Sequence, residues 1–191
     1  MKFYEAKDFI LNRLGNELPA NLFYHGLHHT VDVCHAADVL ASAENVNGEE
    51  LVLLRTAALF HDCGFIKQYL NNEPIAVTFA EEHLPTFGYN QEQIKTIGKI
   101  ILSTRIPQVP NGHIEEIMCD ADLDYLGRDD FFSISETLKR EWLAHGIVQT
   151  EEEFNLKQVQ FFSQHHYFTQ TSRNLREAKK QEHLTELKRR V

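Results

Sequence analysis

The sequence predicts an all-α fold, a single bundle of about eight or nine helices. Three observations carry it. Apolar residues recur at spacings of three and four through most of the 191 residues, strand-type alternation is nearly absent, and Gly, Pro and Asn clusters punctuate the chain at helix-length intervals. In chain order the helices are expected near 2–18, 25–46, 49–62, 73–87, 90–104, 113–126, 130–145, 150–168 and 171–189. Pro19 closes the first, "NVNGEE" separates the second from the third, "FGYN" breaks the chain at 87–90, and "RIPQVPNG" at 105–112 forms the longest polar, Pro-rich loop.

Composition bounds the function. A chain of 191 residues with 42% hydrophobic content builds one domain with a sizeable core, expected here as 1–191, with a core over about 20–178 and a helical extension at 179–191. No run of about 18 apolar residues is present, which argues against a membrane span. Charges at Lys2, Glu5, Lys7 and Asp8 interrupt any secretory signal core, so a cytoplasmic location is expected. Cys34, Cys63 and Cys119 are odd in number and contain no CxxC pair; they read as small buried hydrophobes in a reducing compartment. A formal net charge of −9 argues against general nucleic-acid binding. Seven Lys or Arg fall between Arg173 and Arg190, but Glu177, Glu182 and Glu186 interleave with them, and the tail reads as a solvated helix. A homodimer and a monomer both fit the pattern of apolar helix faces.

Titratable groups bunch in three places. At "YHGLHHTVDV", residues 24–33, helical spacing puts His25, His29 and Asp32 on one stripe and His28 and His35 on another. Either stripe points two imidazoles at one spot, a metal-site or acid–base geometry. At "ALFHDCGF", residues 58–65, His61 and Asp62 end a strongly apolar helix. At "IMCDADLDYLG", residues 117–127, Asp120, Asp122 and Asp124 interrupt Ile117, Met118, Leu123 and Leu126, with no Lys or Arg before Arg128. Buried carboxylates need positive charge, and one divalent cation answers for all three places. An imidazole, a His–Asp pair and a further carboxylate supply four ligands and leave positions for water and substrate.

The series H…HD…D resembles the HD-domain superfamily of metal-dependent phosphohydrolases. "YHGLHHTVDV" is similar to the YHxxxHxxDV signature of cyclic-nucleotide phosphodiesterases and related bacterial HD proteins. "YHGLHH", "FHDCGF", "NNEP", "DADLDYLG" and "SRNL" together resemble a bacterial family of predicted HD phosphohydrolases over about residues 20–178. The resemblance implies His29, His61, Asp62 and Asp122 as metal ligands, with Asp120 the alternative to Asp122, and His25 as general acid. A helix N-terminus disfavours an imidazolium, so a protonated His25 needs a compensating carboxylate. Asp32 is expected to orient His25 or His29 from behind, and Glu73 to orient a water or cap its helix. Lys67 and Arg105 are the cations expected to meet phosphate. His28, His35, His165 and His166 read as surface or packing residues, and Arg173 and Asn174 as docking the last helix; His113 stands near the position of a family histidine that "STRIPQVPNGH" lacks.

The implied activity is hydrolysis of a phosphate ester or anhydride of a small, nucleotide-like metabolite by attack of metal-bound water. One divalent ion per chain is expected, Mn²⁺, Fe²⁺, Co²⁺, Zn²⁺ or Mg²⁺, with a second ion as the alternative. The chain is too short for the nucleotide-clamping half of the phosphodiesterases, so their substrate is not carried over. Two rival readings are a nucleotide-sensing module without turnover and a di-iron HD oxygenase.

Overall fold

In a computed structural model describing residues 1–191, the chain is helical throughout and contains no strand. The helices are α1 (Phe3–Glu17), α2 (Leu27–Ala43), α3 (Gly48–Phe60), α4 (Asn72–His83), α5 (Gln91–Ser103), α6 (His113–Asp122), α7 (Phe131–Ala144), α8 (Glu151–Gln164), α9 (Gln170–Ser172) and α10 (Ala178–Lys188). Short 3₁₀ turns follow α3 at Cys63–Ile66, α4 at Leu84–Phe87 and α6 at Asp124–Gly127.

Two apolar cores organise these helices. The larger is built from α1 to α6 around α3, whose Leu54, Ala57, Ala58 and Phe60 are fully buried. Apart from Arg55, which pairs with Asp38, the second half of α3 is buried, and α1, α2, α5 and α6 pack around it. Each neighbour turns one stripe inward: Ala6, Ile10 and Leu14 from α1, and Ile94, Ile97, Ile100 and Ile101 from α5. A reciprocal Asn90–Gln93 capping box starts α5, and the Thr150 hydroxyl accepts from the Glu153 amide to start α8. The smaller core joins the 3₁₀ turn after α6 to α7, α8 and α10 through Tyr125, Leu126, Phe131, Leu138, Phe154, Phe162, Leu184 and Leu187. α10 buries Lys180, His183, Leu184 and Leu187, so the last helix closes this core and is not appended to it.

Several expected helices end early, each for a local reason. α2 begins at Leu27 behind an extended Gly26, which leaves His25 outside the helix. Pro85 diverts the end of α4 into a 3₁₀ turn. α8 stops at Gln164, where His165 turns extended, and beyond it the amides of Phe168 and Thr169 donate to Asp120, at 2.8 Å each, instead of to helical carbonyls. The last helical stretch contains a π turn at Arg173–Glu177, where the backbone of Arg176 lies against Gly127.

Two glycines are fixed by such approaches. A Cβ on Gly64 would fall 1.9 Å from the Asn72 carbonyl oxygen, and one on Gly127 would fall 2.4 Å from that of Arg176. Gly64 therefore lets the turn after α3 press against the start of α4. We expect Gly64→Ala to cost about 2–3 kcal/mol in urea denaturation, since rigid backbone must move. Gly15→Ala, whose new methyl would meet only Leu27 at 3.7 Å, is expected to be neutral or stabilising by up to about 1 kcal/mol. Equal effects at the two positions would contradict the close-approach argument.

Candidate metal centre and adjoining cavity

Three elements bring four side chains to one point. α2 supplies His29, the end of α3 supplies His61 and Asp62, and the last residue of α6 is Asp122. His29 Nε2 lies 3.2 Å from Asp122 Oδ1 and 3.5 Å from Asp62 Oδ2. His61 Nε2 lies 3.1 Å from Asp62 Oδ2 and 3.5 Å from Asp122 Oδ1. His61 Nδ1 donates to the Ala58 carbonyl at 2.9 Å, which leaves its Nε2 as the lone-pair nitrogen facing the carboxylates.

This donor set fits a divalent cation. His61 Nε2 and Asp62 Oδ2 are both buried without a hydrogen-bond partner, their 3.1 Å approach lacking hydrogen-bond geometry. Ligands bound at about 2.1 Å stand roughly 3 Å apart around one ion; donor atoms of His29, His61 and Asp122 all lie within 4.8 Å of one another, and Asp62 Oδ2 lies 3.1 and 3.5 Å from the two histidine nitrogens. The electrostatics agree. Burial alone would lower the His61 pKa, but Asp62 and Asp122 outweigh it and raise it well above the ordinary histidine value. Burial would raise Asp122, but hydrogen bonds and charge from His29 and His61 hold it below the ordinary carboxylate value. The cluster thus demands positive charge that its fixed neighbours do not provide.

Asp120 and Asp122 point to different places. Asp120 is fully buried, its Oδ1 accepts from the Phe168 amide, and its Oδ2 accepts from the amide and hydroxyl of Thr169 at 2.8 and 2.7 Å. Asp124 is paired bidentately with Arg176 at 2.7 and 3.1 Å. Of the three aspartates, only Asp122 reaches the histidines.

His25 is held by a different device from the helical stripe. It precedes α2, and its Nδ1 lies 2.5 Å from Glu141 Oε1, while Glu141 Oε2 accepts the backbone amides of Tyr24 and His25 at 2.8 and 3.0 Å. Tyr69 donates to the same carboxylate at 2.9 Å. Burial would lower the His25 pKa, but the Glu141 hydrogen bond and the charges of Asp62 and Glu141 raise it on balance. Glu141 is the compensating carboxylate, fully buried on α7 and 116 residues away in sequence. The expectation that Asp32 backs a histidine is corrected: Asp32 accepts from Arg128 at 2.8 Å.

A cavity of ≈ 270 Å³ opens beside the cluster, between the two cores. Its lining combines polar side chains, His25, Asp62, Asp122, Asn72, Glu73 and Thr104, with apolar and aromatic ones, Leu123, Tyr125, Leu138, Trp142, Phe161 and Phe162. Glu73 does not cap α4; one of its carboxylate oxygens is buried without a partner, as is Asn72 Oδ1. Lys67 and Arg105 are exposed and lie off the cavity wall, whose single cation is Lys157. His28 and His35 are exposed, His113 pairs with Glu44 and Glu116, and Arg173 donates to the carbonyls of Tyr167 and Phe168. Glu141, Lys157 and Gln158 were missed in sequence. Glu141 alone leaves a signal there, as an acid between Leu138 and Trp142.

Two solved structures share this arrangement of helices. A predicted HD superfamily hydrolase from an uncultured Thermotogales bacterium aligns with 97% of the chain and 89% of its own length, at 21% identity and a TM-score of 0.62. The fold is the HD-domain fold. YpgQ of Bacillus subtilis, solved in complex with ADP, aligns with 100% of the chain and 97% of its own length, at 20% identity and a TM-score of 0.67. No protein-family model matches the chain, and no curated protein matches it by sequence. No helix of this HD fold is long and apolar enough to cross a membrane.

The two aspartates separate by experiment. Asp122→Ala is expected to abolish stoichiometric Mn²⁺ or Co²⁺ binding in calorimetry while leaving the chain folded. Asp120→Ala is expected to keep the metal and lose roughly 3 kcal/mol in denaturation, because two amides and a hydroxyl lose a charged acceptor. The reverse pattern would move the ligand to Asp120.

Proposed function

We propose that this chain is a metal-dependent phosphohydrolase acting on a small, nucleotide-like phosphorylated metabolite. The observation that carries the reading is the convergence of His29, His61 and Asp122, with Asp62 beside the two histidines and two atoms of the cluster unpartnered and buried, on a cavity that is also lined by aromatic side chains. The fold shared with a predicted HD hydrolase and with a protein solved with ADP supports it. His29, His61, Asp62 and Asp122 would hold the ion. When bound, a divalent cation supplies Lewis acidity toward the phosphoryl group and the water that attacks it.

The chain's own residues supply the remainder. Glu141 occupies His25 Nδ1 and leaves Nε2 without a protein partner on the cavity wall. The Glu141 carboxylate at Nδ1 favours the protonated ring, which would keep a proton available there for the departing oxygen. Asp62 and Asp122 orient the histidine nitrogens and balance the positive charge. Lys157 adds charge for an anionic substrate, the role expected of Lys67 and Arg105. The apolar walls exclude water and strengthen each of these interactions.

The test is phosphate release from a panel of phosphorylated metabolites by metal-stripped protein, with Mn²⁺, Co²⁺, Mg²⁺ or Zn²⁺ added back. Turnover is expected to require the ion, to be abolished by Asp62→Ala, and to fall about 10²–10⁴-fold in His25→Ala with metal content unchanged. Absence of turnover with every ion, despite stoichiometric metal, would leave a sensing module. About two irons per chain would point to oxygenase chemistry instead.

A further inference from the structure

Among the apolar side chains that line the cavity is one buried polar side chain with an unusual setting. Gln158 on α8 is 5% exposed and lines the cavity among Leu138, Trp142 and Phe162. Its Oε1 accepts from the Ser135 hydroxyl at 3.0 Å, and Ser135 is itself buried on α7. The structure places the carboxamide in the orientation in which the Ser135 hydroxyl is the donor. The acceptor oxygen is turned to α7, and the amide nitrogen, which makes no hydrogen bond to the protein, is left to the cavity.

We propose that Gln158 is a specificity-determining residue that donates a hydrogen bond to an in-plane acceptor, a ring nitrogen or carbonyl oxygen, of a heteroaromatic base seated against the aromatic wall. The proposal rests on the nucleotide reading above and adds to it which end of the substrate lies where. An alkyl chain or phenyl group would fill the same walls but leave the donor bare, and a desolvated donor without a partner is costly. A base satisfies both features at once, a flat apolar face for Trp142 and Phe162 and an edge acceptor for Gln158. A cavity of ≈ 270 Å³ is near the lower end of the ~300–1,000 Å³ of small-molecule sites, which suits a base and its sugar with the phosphates directed to the histidines. Ser135 acts through Gln158 and is a positioning residue.

The test uses the full chain loaded with Mn²⁺ and two probes in calorimetry. α,β-Methylene-ADP carries the ring and a non-hydrolysable diphosphate; methylenebisphosphonate carries only the latter. The nucleotide analogue is expected to bind at least about tenfold tighter than the bisphosphonate, with Gln158→Leu weakening it about tenfold and leaving the bisphosphonate unchanged. Gln158→Glu, which preserves shape but substitutes an acceptor for the donor, is expected to lose at least as much. Ser135→Ala is expected to lose less. Tight nucleotide binding unaffected by either Gln158 variant, in chains whose melting temperature is preserved, overturns this proposal and leaves the phosphohydrolase reading standing. Failure of both probes to bind the metal-loaded protein overturns the nucleotide reading and this proposal with it.

Discussion

A carboxylate withdrawn from water in a helical bundle is costly unless something positive or hydrogen-bond-donating meets it, and five such groups, the buried Asp62, Asp120, Asp124 and Glu141 and the half-buried Asp122, define the rest of the structure. Each is answered differently. Asp124 takes the Arg176 guanidinium, Asp120 takes two amides and a hydroxyl from the segment after α8, and Glu141 takes two amides, a tyrosine hydroxyl and an imidazole. Asp62 and Asp122 receive only the imidazoles of His29 and His61. An imidazole is a variable charge, neutral when it serves as a ligand. The His–Asp cluster is thus a place where acids have no permanent cation or amide, a lack shared by Glu73 on the adjoining cavity wall, and the other three acids show that the fold provides such partners elsewhere.

The satisfied acids also act as long-range fasteners. Asp120 and Asp124 flank Asp122 in sequence, and each ties α6 or its following turn to the C-terminal third of the chain. The ligand between them is held from both sides: one bond set meets the chain between α8 and α9, and the other holds the π turn against Gly127. The precision of the site therefore comes from residues that never touch an ion, an arrangement in which supporting contacts set the ligand geometry.

The helices were legible in the sequence because a 3.6-residue apolar stripe and its Gly and Pro punctuation are local signals. The convergence of histidines and aspartates was legible because acids and histidines inside apolar runs are anomalous on their own, whatever their partners. What was not legible lay in partners separated by tens of residues. Nothing local distinguishes Asp120 from Asp122, since only the fold reveals that Phe168 and Thr169 return to the first and not the second. Arg176 answers Asp124 from 52 positions away, where a search along the sequence found only Arg128. Lys67 and Arg105 stand close in sequence to Asp62 and Thr104, yet both turn outward; Lys157 and Gln158, on a helix with no chemical anomaly, reach the cavity.

Glu141 joins these strands of argument. It belongs to α7, in the second core's half of the molecule, yet its oxygens hold the chain at Tyr24 and His25 just ahead of α2, and Tyr69 from the connection between α3 and α4. The larger core alone would present His29, His61, Asp62 and Asp122, all borne by α2, α3 and α6. It would have no means of fixing His25, because His25 lies outside the helix that would otherwise aim it. The second core thus contributes more than aromatic lining for the cavity: it supplies the carboxylate that holds the imidazole beside the metal ligands. The two halves are coupled through that one buried acid. The proton transfer proposed at His25 and the recognition proposed at Gln158 would consequently depend on the same packing of α7 against α8, with Glu141 and Ser135 on α7 each bonded to a side chain that lines the cavity.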